Sequence, residues 1–327
     1  LARMFQVEDS RHVIFTSGVT CSLNYFINGF LKPGDHVLVT GLEHNAVMRP
    51  LHRMTKQGVT YDVIPADRQG NLKAEQAESL IRPATKAMIV SHASNVCGTV
   101  VPIRDLGEVC RRHNLFFAVD SAQTAGTFPI DMPGTGIDLL AFAGHKGLLG
   151  PQGIGGFVIS DRLSREMEPW ILGGTGSQSD SYEMPEQLPD KYESGTMNLP
   201  GIIGLHAALS YLEQTGIDSL REKKMELTGY FLEQIREFRD IRIVGRPDLK
   251  NRTAVVSLDF QTMDNAVAAF ELEQRAGIMT RVGLHCAPLA HRSLHTFPEG
   301  TVRFAFSASN TRDEIDRCIQ VMKELFR

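Results

Sequence analysis

Lys146 closes the segment Ala141–Lys146, in which an apolar run gives way to Gly144, His145 and the lysine itself. A glycine-rich stretch, residues 147–156, follows. A lysine amine held among buried backbone loses hydration, which lowers its pKa and makes the neutral form available. A neutral amine is a nucleophile that forms a Schiff base with a carbonyl compound. The segment therefore predicts a Schiff-base lysine, and an ordinary surface lysine at a strand-to-loop corner is the alternative.

An acid at the end of another apolar strand gives this lysine a partner. Phe116–Asp120 is apolar up to its last residue, and Asp120 precedes Lys146 by 26 positions, enough for a crossover between neighbouring parallel strands. Both side chains would then lie at the carboxyl ends of strands, where open α/β sheets bind ligands. Pyridoxal phosphate (PLP) requires a Schiff-base lysine, a carboxylate at its pyridinium nitrogen and an anion site. Lys146 and Asp120 can supply the first two, although Asp120 could instead be a helix N-cap.

The third requirement, an anion site, can be met near the start of the chain. A short strand is followed by residues 17–20, which lead into an amphipathic helix expected over about 21–31. Free N–H groups and the positive end of the helix dipole make such a helix start attractive to anions. Gly18, Val19 and Thr20 are therefore candidates for binding a phosphate. Simple capping of the helix by Ser or Thr is the alternative.

Three motifs, in this order along the chain, resemble the core of the class V (fold-type I) PLP enzymes and, more narrowly, the cysteine desulfurases of the NifS and SufS kind. They are Asp120-Ser121-Ala122-Gln123, Ala143-Gly144-His145-Lys146 and Gly150-Pro151-Gln152-Gly153. The resemblance covers essentially the whole chain. It implies the aminotransferase fold of type I: a large PLP-binding domain with a mostly parallel sheet, and a smaller α+β domain. It also implies a homodimer, with PLP bound through Lys146.

The resemblance assigns roles to polar side chains whose purpose the residues alone leave open. It implies that His44 stacks on the cofactor ring, since a flat ring buries its faces well against flat partners. It implies that Asn95 and Gln123 contact the ring oxygen and that His145 belongs to the same pocket. Taken singly, His44 would be interpreted as structural and Asn95 as a turn former.

The phosphate contacts depart from the family pattern at two positions. Val19 stands within a turn that is Gly-Thr-Thr-like in the family, and Ala143 replaces a usual serine three positions before the lysine. The resemblance implies that Thr196, in the loop Glu193–Thr196, donates its hydroxyl to the phosphate in the neighbouring subunit. It places this loop and Leu172–Gly176 at a dimer interface.

A second group of reactive residues lies in the segment Arg281–Cys286. Cys286 is placed in a loop beside His285 with Arg281 nearby, and positive neighbours stabilise the reactive thiolate. A buried structural cysteine is the alternative, since free cysteines are commonly buried. The segment reproduces an Arg-x-Gly-x-His-Cys motif of the SufS-like enzymes, which implies that Cys286 is their sulfur-accepting nucleophile. The resemblance also implies that Arg303, with Arg281, binds the substrate α-carboxylate, a task that suits bidentate arginine geometry; a surface arginine is the alternative.

The composition bounds the class of protein. The chain has 327 residues and is 42% hydrophobic, which is ample for a large core and more than one domain. A net charge of -4 argues against a nucleic-acid partner. We expect no membrane span, since no run of 18 apolar residues occurs, and no signal peptide. Five scattered cysteines argue against disulfides and predict a cytoplasmic protein; the absence of zinc-ligand spacing predicts no metal.

The pattern of apolar runs predicts how these residues are positioned. Strands alternate with helices over the first half of the chain, which favours a mostly parallel α/β sheet. The predicted large domain is residues 1–214 and the predicted small domain is residues 215–327. Strands are expected over 13–16, 36–40, 61–65, 87–90, 116–120, 137–140, 241–244, 253–258 and 301–306, and helices over about 74–81, 104–114, 201–212, 220–238, 265–276 and 313–326.

The resulting hypothesis is a PLP-dependent cysteine desulfurase that converts L-cysteine to L-alanine and an enzyme persulfide on Cys286. Lys146 would bind PLP and move protons, and the sulfur would pass to an acceptor protein, as in iron–sulfur cluster assembly. The alternatives are a selenocysteine lyase, a class V aminotransferase or epimerase with an incidental Cys286, and a non-catalytic scaffold. The last stays open because the chain begins where the family already has roughly 50 or more residues behind it.

Overall fold

The larger of two sheets contains the strands predicted around the candidate site. The structure, a computed structural model, describes residues 1–326. Seven strands form this sheet: β1 (Val13–Thr16), β2 (His36–Thr40), β3 (Thr60–Ile64), β4 (Thr85–Ser91), β5 (Phe116–Asp120), β6 (Leu139–Ala143) and β7 (Gly155–Ile159). Their order is β1-β7-β6-β5-β4-β2-β3. The pairs from β3 to β6 are parallel, and β7 runs antiparallel to both β1 and β6.

The smaller sheet is antiparallel and belongs to the last third of the chain. It contains β8 (Ile241–Val244), β9 (Val255–Phe260), β10 (Arg281–Gly283) and β11 (Thr301–Ala305), in the order β10-β11-β9-β8. The mostly parallel large sheet and the smaller α+β unit predicted from the sequence are therefore confirmed. The boundary between residues 214 and 215 stays a prediction; it falls one residue before the end of a helix.

Eleven α-helices surround the sheets within residues 1–326. They are α1 (Val19–Phe30), α2 (Asn45–Thr55), α3 (Ala74–Ser79), α4 (Ile103–Arg112), α5 (Met132–Thr135), α6 (Asp161–Ser164), α7 (Leu199–Thr215), α8 (Ile217–Ile235), α9 (Asn265–Ala276), α10 (Pro288–Ser293) and α11 (Arg312–Leu325). Two short 3₁₀ turns, Arg3–Phe5 and Ser10–His12, precede β1. None of the helices in this part of the chain is both long and apolar enough to cross a membrane.

Alternate residues of each central strand enter opposite cores. In β6, Leu140 and Phe142 face the core that includes residues of α4 and α7, whereas Leu139 and Ala141 face the core with α1 and α2. Both faces of the sheet are thus buried. This is why these strands are continuous apolar runs, as is usual for parallel sheets, and why the sequence located them.

Strand β7 was not predicted, because the sequence there is rich in glycine. The structure shows why glycine is needed between β1 and β6. A Cβ added at Gly156 would lie 2.2 Å from the carbonyl oxygen of Ile14, and one at Gly155 would lie 2.6 Å from the Cα of Gly18. These glycines allow close approach of neighbouring backbone and do not mark a loop.

Candidate active site

A cavity of about 220 Å³ opens where the parallel strands end at their carboxyl ends. Its wall includes Ser91 at the end of β4, Asp120 at the end of β5 and Ala143 at the end of β6. Nine residues singled out in the sequence contribute to this wall: Gly18, Val19, Thr20, His44, Asn95, Asp120, Gln123, His145 and Lys146. The topology therefore brings together side chains that are spread over more than a hundred positions.

The start of α1 forms one end of the cavity. The helix begins at Val19, two residues earlier than expected, with Gly18 as its N-cap at φ 148°. The first N–H that bonds back into the helix is that of Ser22, which donates to the carbonyl oxygen of Gly18 at 3.1 Å. The N–H groups of Val19, Thr20 and Cys21 precede it and have no intrahelical acceptor. This end of the cavity suits an anion.

Asp120 supplies a buried carboxyl group to the wall of the cavity. Its side chain is 5% exposed, and Oδ1 accepts the N–H of Ala122 at 2.8 Å. Burial raises the pKa of Asp120, while the charge of Lys146 acts in the other direction. β5 and β6 are neighbouring parallel strands that pair Asp120 with Ala141. The 26-residue separation between Asp120 and Lys146 thus spans the crossover between parallel strands that the sequence predicted.

Lys146 lies in the turn after β6 and extends into the cavity. Its surroundings lower the pKa of the Lys146 amine through desolvation, and the Asp120 carboxylate opposes this effect. Two glycines position the turn by backbone contact. A Cβ at Gly147 would lie 2.4 Å from the carbonyl oxygen of Ala125, and one at Gly126, whose φ is +74°, would lie 2.3 Å from that of Gly147. The lysine is therefore held against the loop that follows Asp120.

His44 is the N-cap of α2. Its Nδ1 accepts the N–H of Ala46 at 3.0 Å, so in the neutral ring the proton is on Nε2. Burial lowers the pKa of His44. A neutral, oriented imidazole in the cavity wall is the flat partner that a planar ligand requires.

A second cavity of about 400 Å³ adjoins the first and shares Ala122, Gln123 and Lys146 with it. Arg303, on β11, lines this second cavity, and its Nη1 donates to the carbonyl oxygen of Asn95 at 3.0 Å. The guanidinium thus lies beside the lysine but outside the wall of the first cavity. This position suits recognition of a carboxylate on a molecule that reaches Lys146.

Cys286 does not line either cavity, but its segment is hydrogen-bonded to residues at the first cavity. The carbonyl oxygen of Cys286 accepts the N–H of Asn45 at 2.8 Å, directly after His44. The carbonyl oxygen of His285 accepts the Nδ2 group of Asn95 at 2.7 Å. Cys286 itself is exposed, so the interpretation as a buried structural cysteine is wrong.

The charged surroundings expected for Cys286 are only partly present. His285 is 5% exposed, its Nε2 lies 2.9 Å from Thr301 Oγ1, and burial lowers its pKa to about 3. The ring is therefore neutral near pH 7, and the expectation that it is a positive neighbour is wrong. Arg303 lies within electrostatic range of Cys286, and Arg281 is directly opposite Arg303 in the β10–β11 pair. The positive charge near the thiol comes from arginine.

Thr196 is the predicted cofactor-binding residue that does not reach the cavity. It is exposed in the loop after Tyr192. That loop is bonded to the other small-residue loop, since Gly195 N donates to the carbonyl oxygen of Gly174 at 2.8 Å. The role of Thr196 toward a neighbouring subunit stays a prediction.

Glu43 and Ser91 are polar residues at the cavity to which the sequence assigned no role. Glu43 is fully buried and bonded to Ser91, which lines the cavity. An acid between a buried strand and His44 was the pattern that could have pointed to it. The role of Glu43 depends on its hydrogen bonds to Ser91 at the end of β4, and no local sequence pattern shows those bonds.

The residues of the cavity fit PLP. The first turn of α1 provides N–H groups for a phosphate, Asp120 a carboxylate for a ring nitrogen, His44 a flat face and Lys146 an amine for a carbonyl carbon. Within the described residues, no three His, Cys, Asp or Glu side chains are grouped closely enough to hold a metal ion.

Comparison with known proteins agrees with this site. The family model described as "Aminotransferase class-V" matches residues 1–318 of this chain. The chain therefore belongs to the class-V aminotransferase family. Within that family, a Methanothermobacter thermautotrophicus protein named "Probable cysteine desulfurase" is 32% identical over 322 residues, or 97% of this chain and 80% of that protein.

Two solved structures share the fold over the whole chain. An apo cysteine desulfurase from Thermococcus onnurineus has a TM-score of 0.92 at 31% identity, covering 99% of this chain and 81% of that one. A cysteine desulfurase from Escherichia coli has a TM-score of 0.91 at 27% identity, covering 100% and 82%. These three proteins are thus all named as cysteine desulfurases, one of them as probable, and this chain spans about four-fifths of the length of each.

Proposed function

We propose that this protein is a PLP-dependent cysteine desulfurase, which converts L-cysteine to L-alanine and collects the sulfur as a persulfide on Cys286. One observation carries the proposal. Lys146 and Asp120 share a cavity, and the exposed Cys286 is hydrogen-bonded to Asn45, next to His44 in the wall of that cavity. Neither an aminotransferase nor an epimerase needs a thiol in this position.

The side chains of the cavity divide the work of holding the cofactor. PLP, when bound, supplies an electron sink for the carbon atoms next to its Schiff base. Lys146 would bind it covalently and then carry protons, since desolvation lowers the pKa of its amine and makes the neutral form more available. Asp120 keeps the ring nitrogen protonated, and the start of α1 binds the phosphate.

Arg303 binds the α-carboxylate of the substrate. It lines the cavity that adjoins Lys146, and its bond to the carbonyl oxygen of Asn95 orients the guanidinium. Charge-assisted bonds from arginine to a carboxylate are strong and directional. Arg281, opposite Arg303 on β10, adds positive charge on this side. L-Cysteine would thus be held with its side chain free to face the loop of Cys286.

The sulfur transfer follows from the chemistry of a thiolate. The Cys286 thiolate attacks the substrate sulfur, so that a sulfur–sulfur bond forms and the carbon–sulfur bond breaks. The electron pair of the broken bond stays on the carbon, which takes a proton and becomes the methyl group of L-alanine. The proton lost by the substrate thiol balances the one gained by carbon. The persulfide sulfur then passes to an acceptor protein, which the exposed position of Cys286 permits.

We also infer a homodimer in which Thr196 contacts the phosphate group of the PLP bound by the partner subunit. Large apolar side chains are exposed beside the two bonded loops, notably Leu172, Leu199 and Ile203, and exposed apolar patches mark interaction sites. A Leu199→Glu/Ile203→Glu variant should be monomeric by light scattering, whereas Met279→Glu, at an exposed apolar position on the small domain, should not. A monomeric parent protein would contradict the homodimer.

The five free cysteines support a reducing compartment, which we propose is the cytoplasm.

The test of function is an assay for sulfide and alanine from L-cysteine in the PLP-loaded protein. Cys286→Ser should keep PLP but lose sulfide production, because a serine hydroxyl is scarcely ionised and attacks sulfur poorly. Cys318→Ala, which removes a buried thiol in α11, is the control and should retain activity. Sulfide production that survives Cys286→Ser would favour the aminotransferase or epimerase. Selenocysteine is not a suitable substrate for this test, because it can be cleaved without a cysteine nucleophile.

A further inference from the structure

Glu43 is a buried carboxyl group that joins two strands beneath the cavity. It is 0% exposed. Thr40, at the end of β2, donates its hydroxyl to Oε1 at 2.6 Å. Ser91, at the end of β4, donates its hydroxyl to Oε2 at 2.7 Å, and its N–H lies 3.0 Å from both oxygens. The carboxyl group therefore bridges the carboxyl ends of two adjacent parallel strands, at the edge where the cavity opens.

The charged group that acts on Glu43 is Asp120. No lysine or arginine forms an ion pair with Glu43 within residues 1–326. Ser91, which is hydrogen-bonded to Glu43, lies directly opposite Asp120 in the β4–β5 register. From the other elements, Lys146 and His44 act on Asp120. Burial and the Asp120 charge together raise the pKa of Glu43 to about 7, although its three hydrogen-bond donors counteract them.

The contacts of Glu43 tolerate either protonation state. The Thr40 and Ser91 hydroxyls donate to a carboxylate, and either can accept a proton from a carboxylic acid by rotating. A change of charge on Glu43 thus leaves the bridge between β2 and β4 in place. What changes is the electrostatic potential at Asp120, and with it the attraction for a cation placed there.

We propose that Glu43 is a positioning residue for the cofactor site, which bridges β2 and β4 and, when charged, strengthens the hold of Asp120 on a cationic ring nitrogen. The inference rests on the proposed PLP site. Glu43 is neutral below about pH 7 and charged above it. Ionised Glu43 adds a negative charge near the ring nitrogen, which stabilises a pyridinium cation. Glu43 therefore contributes to PLP affinity above this pH and not below it.

Glu43→Gln separates charge from shape, because glutamine is a neutral isostere. The experiment measures the PLP dissociation constant of both apoproteins by equilibrium dialysis between pH 5.5 and 8.5. The ratio of the two constants cancels the titration of Lys146 and of the PLP phosphate, which both proteins share. We expect the ratio of the Glu43→Gln constant to the parent constant to be near one below pH 6 and to rise about three- to tenfold above pH 8. The effect is modest because Glu43 does not line the cavity and acts on the ring nitrogen at a distance.

Thr40→Val provides an independent test that keeps the carboxyl group. Thr40 is buried and does not line the cavity, and its hydrogen bond lowers the pKa of Glu43. Removing the hydroxyl should move the pH-dependent step in PLP affinity to higher pH. Asp138→Asn is the matched control, since Asp138 is a buried carboxyl at the opposite end of the sheet, bonded to Phe117 N and Ser160 Oγ. The ratio of the PLP dissociation constant of Asp138→Asn to that of the parent should be constant with pH.

The outcomes distinguish the inference from the proposed function. A constant ratio for Glu43→Gln, or, should that variant not fold, an unmoved step in Thr40→Val, would show that Glu43 only stabilises the sheet. A parent protein that binds no PLP at any pH would overturn the proposed cofactor site itself.

Discussion

The side-chain amide of Asn95 donates to the carbonyl oxygen of His285 at 2.7 Å. Asn95 follows β4 and His285 follows β10, so this bond connects the large sheet to the segment that carries Cys286. With the bond from Asn45 N to the carbonyl oxygen of Cys286, it holds the thiol-bearing segment beside the cavity. His285 and Cys286 have φ values of 49° and 58°, a left-handed conformation that non-glycine residues rarely adopt.

The contribution of the Asn45 bond can be tested without disturbing its helix. Asn45 is the first residue of α2, a position that tolerates proline. Asn45→Pro should remove the N–H that binds Cys286 and slow persulfide formation about fivefold, the effect of one hydrogen bond of about 1 kcal/mol. PLP binding should not change. Asn45→Ala keeps the N–H and is the control; equal persulfide rates in the two variants would contradict this role.

Lys146→Ala should abolish covalent attachment of PLP while the protein stays folded. The lysine extends into a cavity and makes no contact on which the sheet depends, and its amine is required for the Schiff base. The measurement is borohydride reduction followed by mass spectrometry of the labelled peptide. Lys223→Ala, at an exposed position in α8, should label as the parent does. Labelling that survives in Lys146→Ala would assign the cofactor to another lysine.

Asp120→Asn should reduce the rate of cysteine turnover by about 10- to 100-fold, the equivalent of losing one charge-assisted hydrogen bond. The neutral amide cannot keep the ring nitrogen protonated, whereas Lys146 still binds PLP. Steady-state kinetics and the visible absorbance of bound PLP measure the two effects separately. Asp138→Asn is the control for removal of a buried carboxyl from the same sheet. Full activity of Asp120→Asn would exclude Asp120 from the site.

Stability should fall as the pH is lowered from 7 to 5, because three buried histidines together outweigh Glu43. Burial raises the pKa of Glu43 to about 7, so its protonation favours the folded state in this window, whereas the low pKa of each histidine opposes folding there. Burial lowers the pKa of His285 to about 3, below the value of about 6.5 for an unfolded histidine. The unfolded chain therefore binds more protons between these pH values, and the stabilisation present above pH 6.5 is lost as the pH falls through this window. His285 alone accounts for about 2 kcal/mol between pH 7 and 5.

Urea unfolding at several pH values measures this effect. His285→Gln should reduce the loss of stability at pH 5, and His291 and His92, whose pKa values burial lowers to about 4, should account for much of the remainder. His52→Gln, at an exposed position of α2, should behave as the parent does. An identical pH dependence in His285→Gln and the parent would show that His285 is not buried as a neutral ring.

The amino-acid sequence by itself determined the parts of this protein that depend on local pattern. Strands β2, β4, β5 and β6 are continuous apolar runs because both of their faces are buried. Asp120 and Lys146 stand at the ends of two such runs, and a parallel pairing of these strands was enough to place both at one edge of the sheet. Motif resemblance then supplied the family, which the comparisons confirm.

Only the tertiary structure decided how the distant segments meet. Strand β7 is formed where neighbouring backbones come too close for any side chain at Gly156, a contact that sequence periodicity cannot show. The charge of His285 depends on its burial against Thr301, which reversed the expectation of a positive neighbour for Cys286. Glu43 gains its place in the site from Ser91, 48 positions away. Burial and long-range hydrogen bonding set these properties, and both arise only when the strands have assembled.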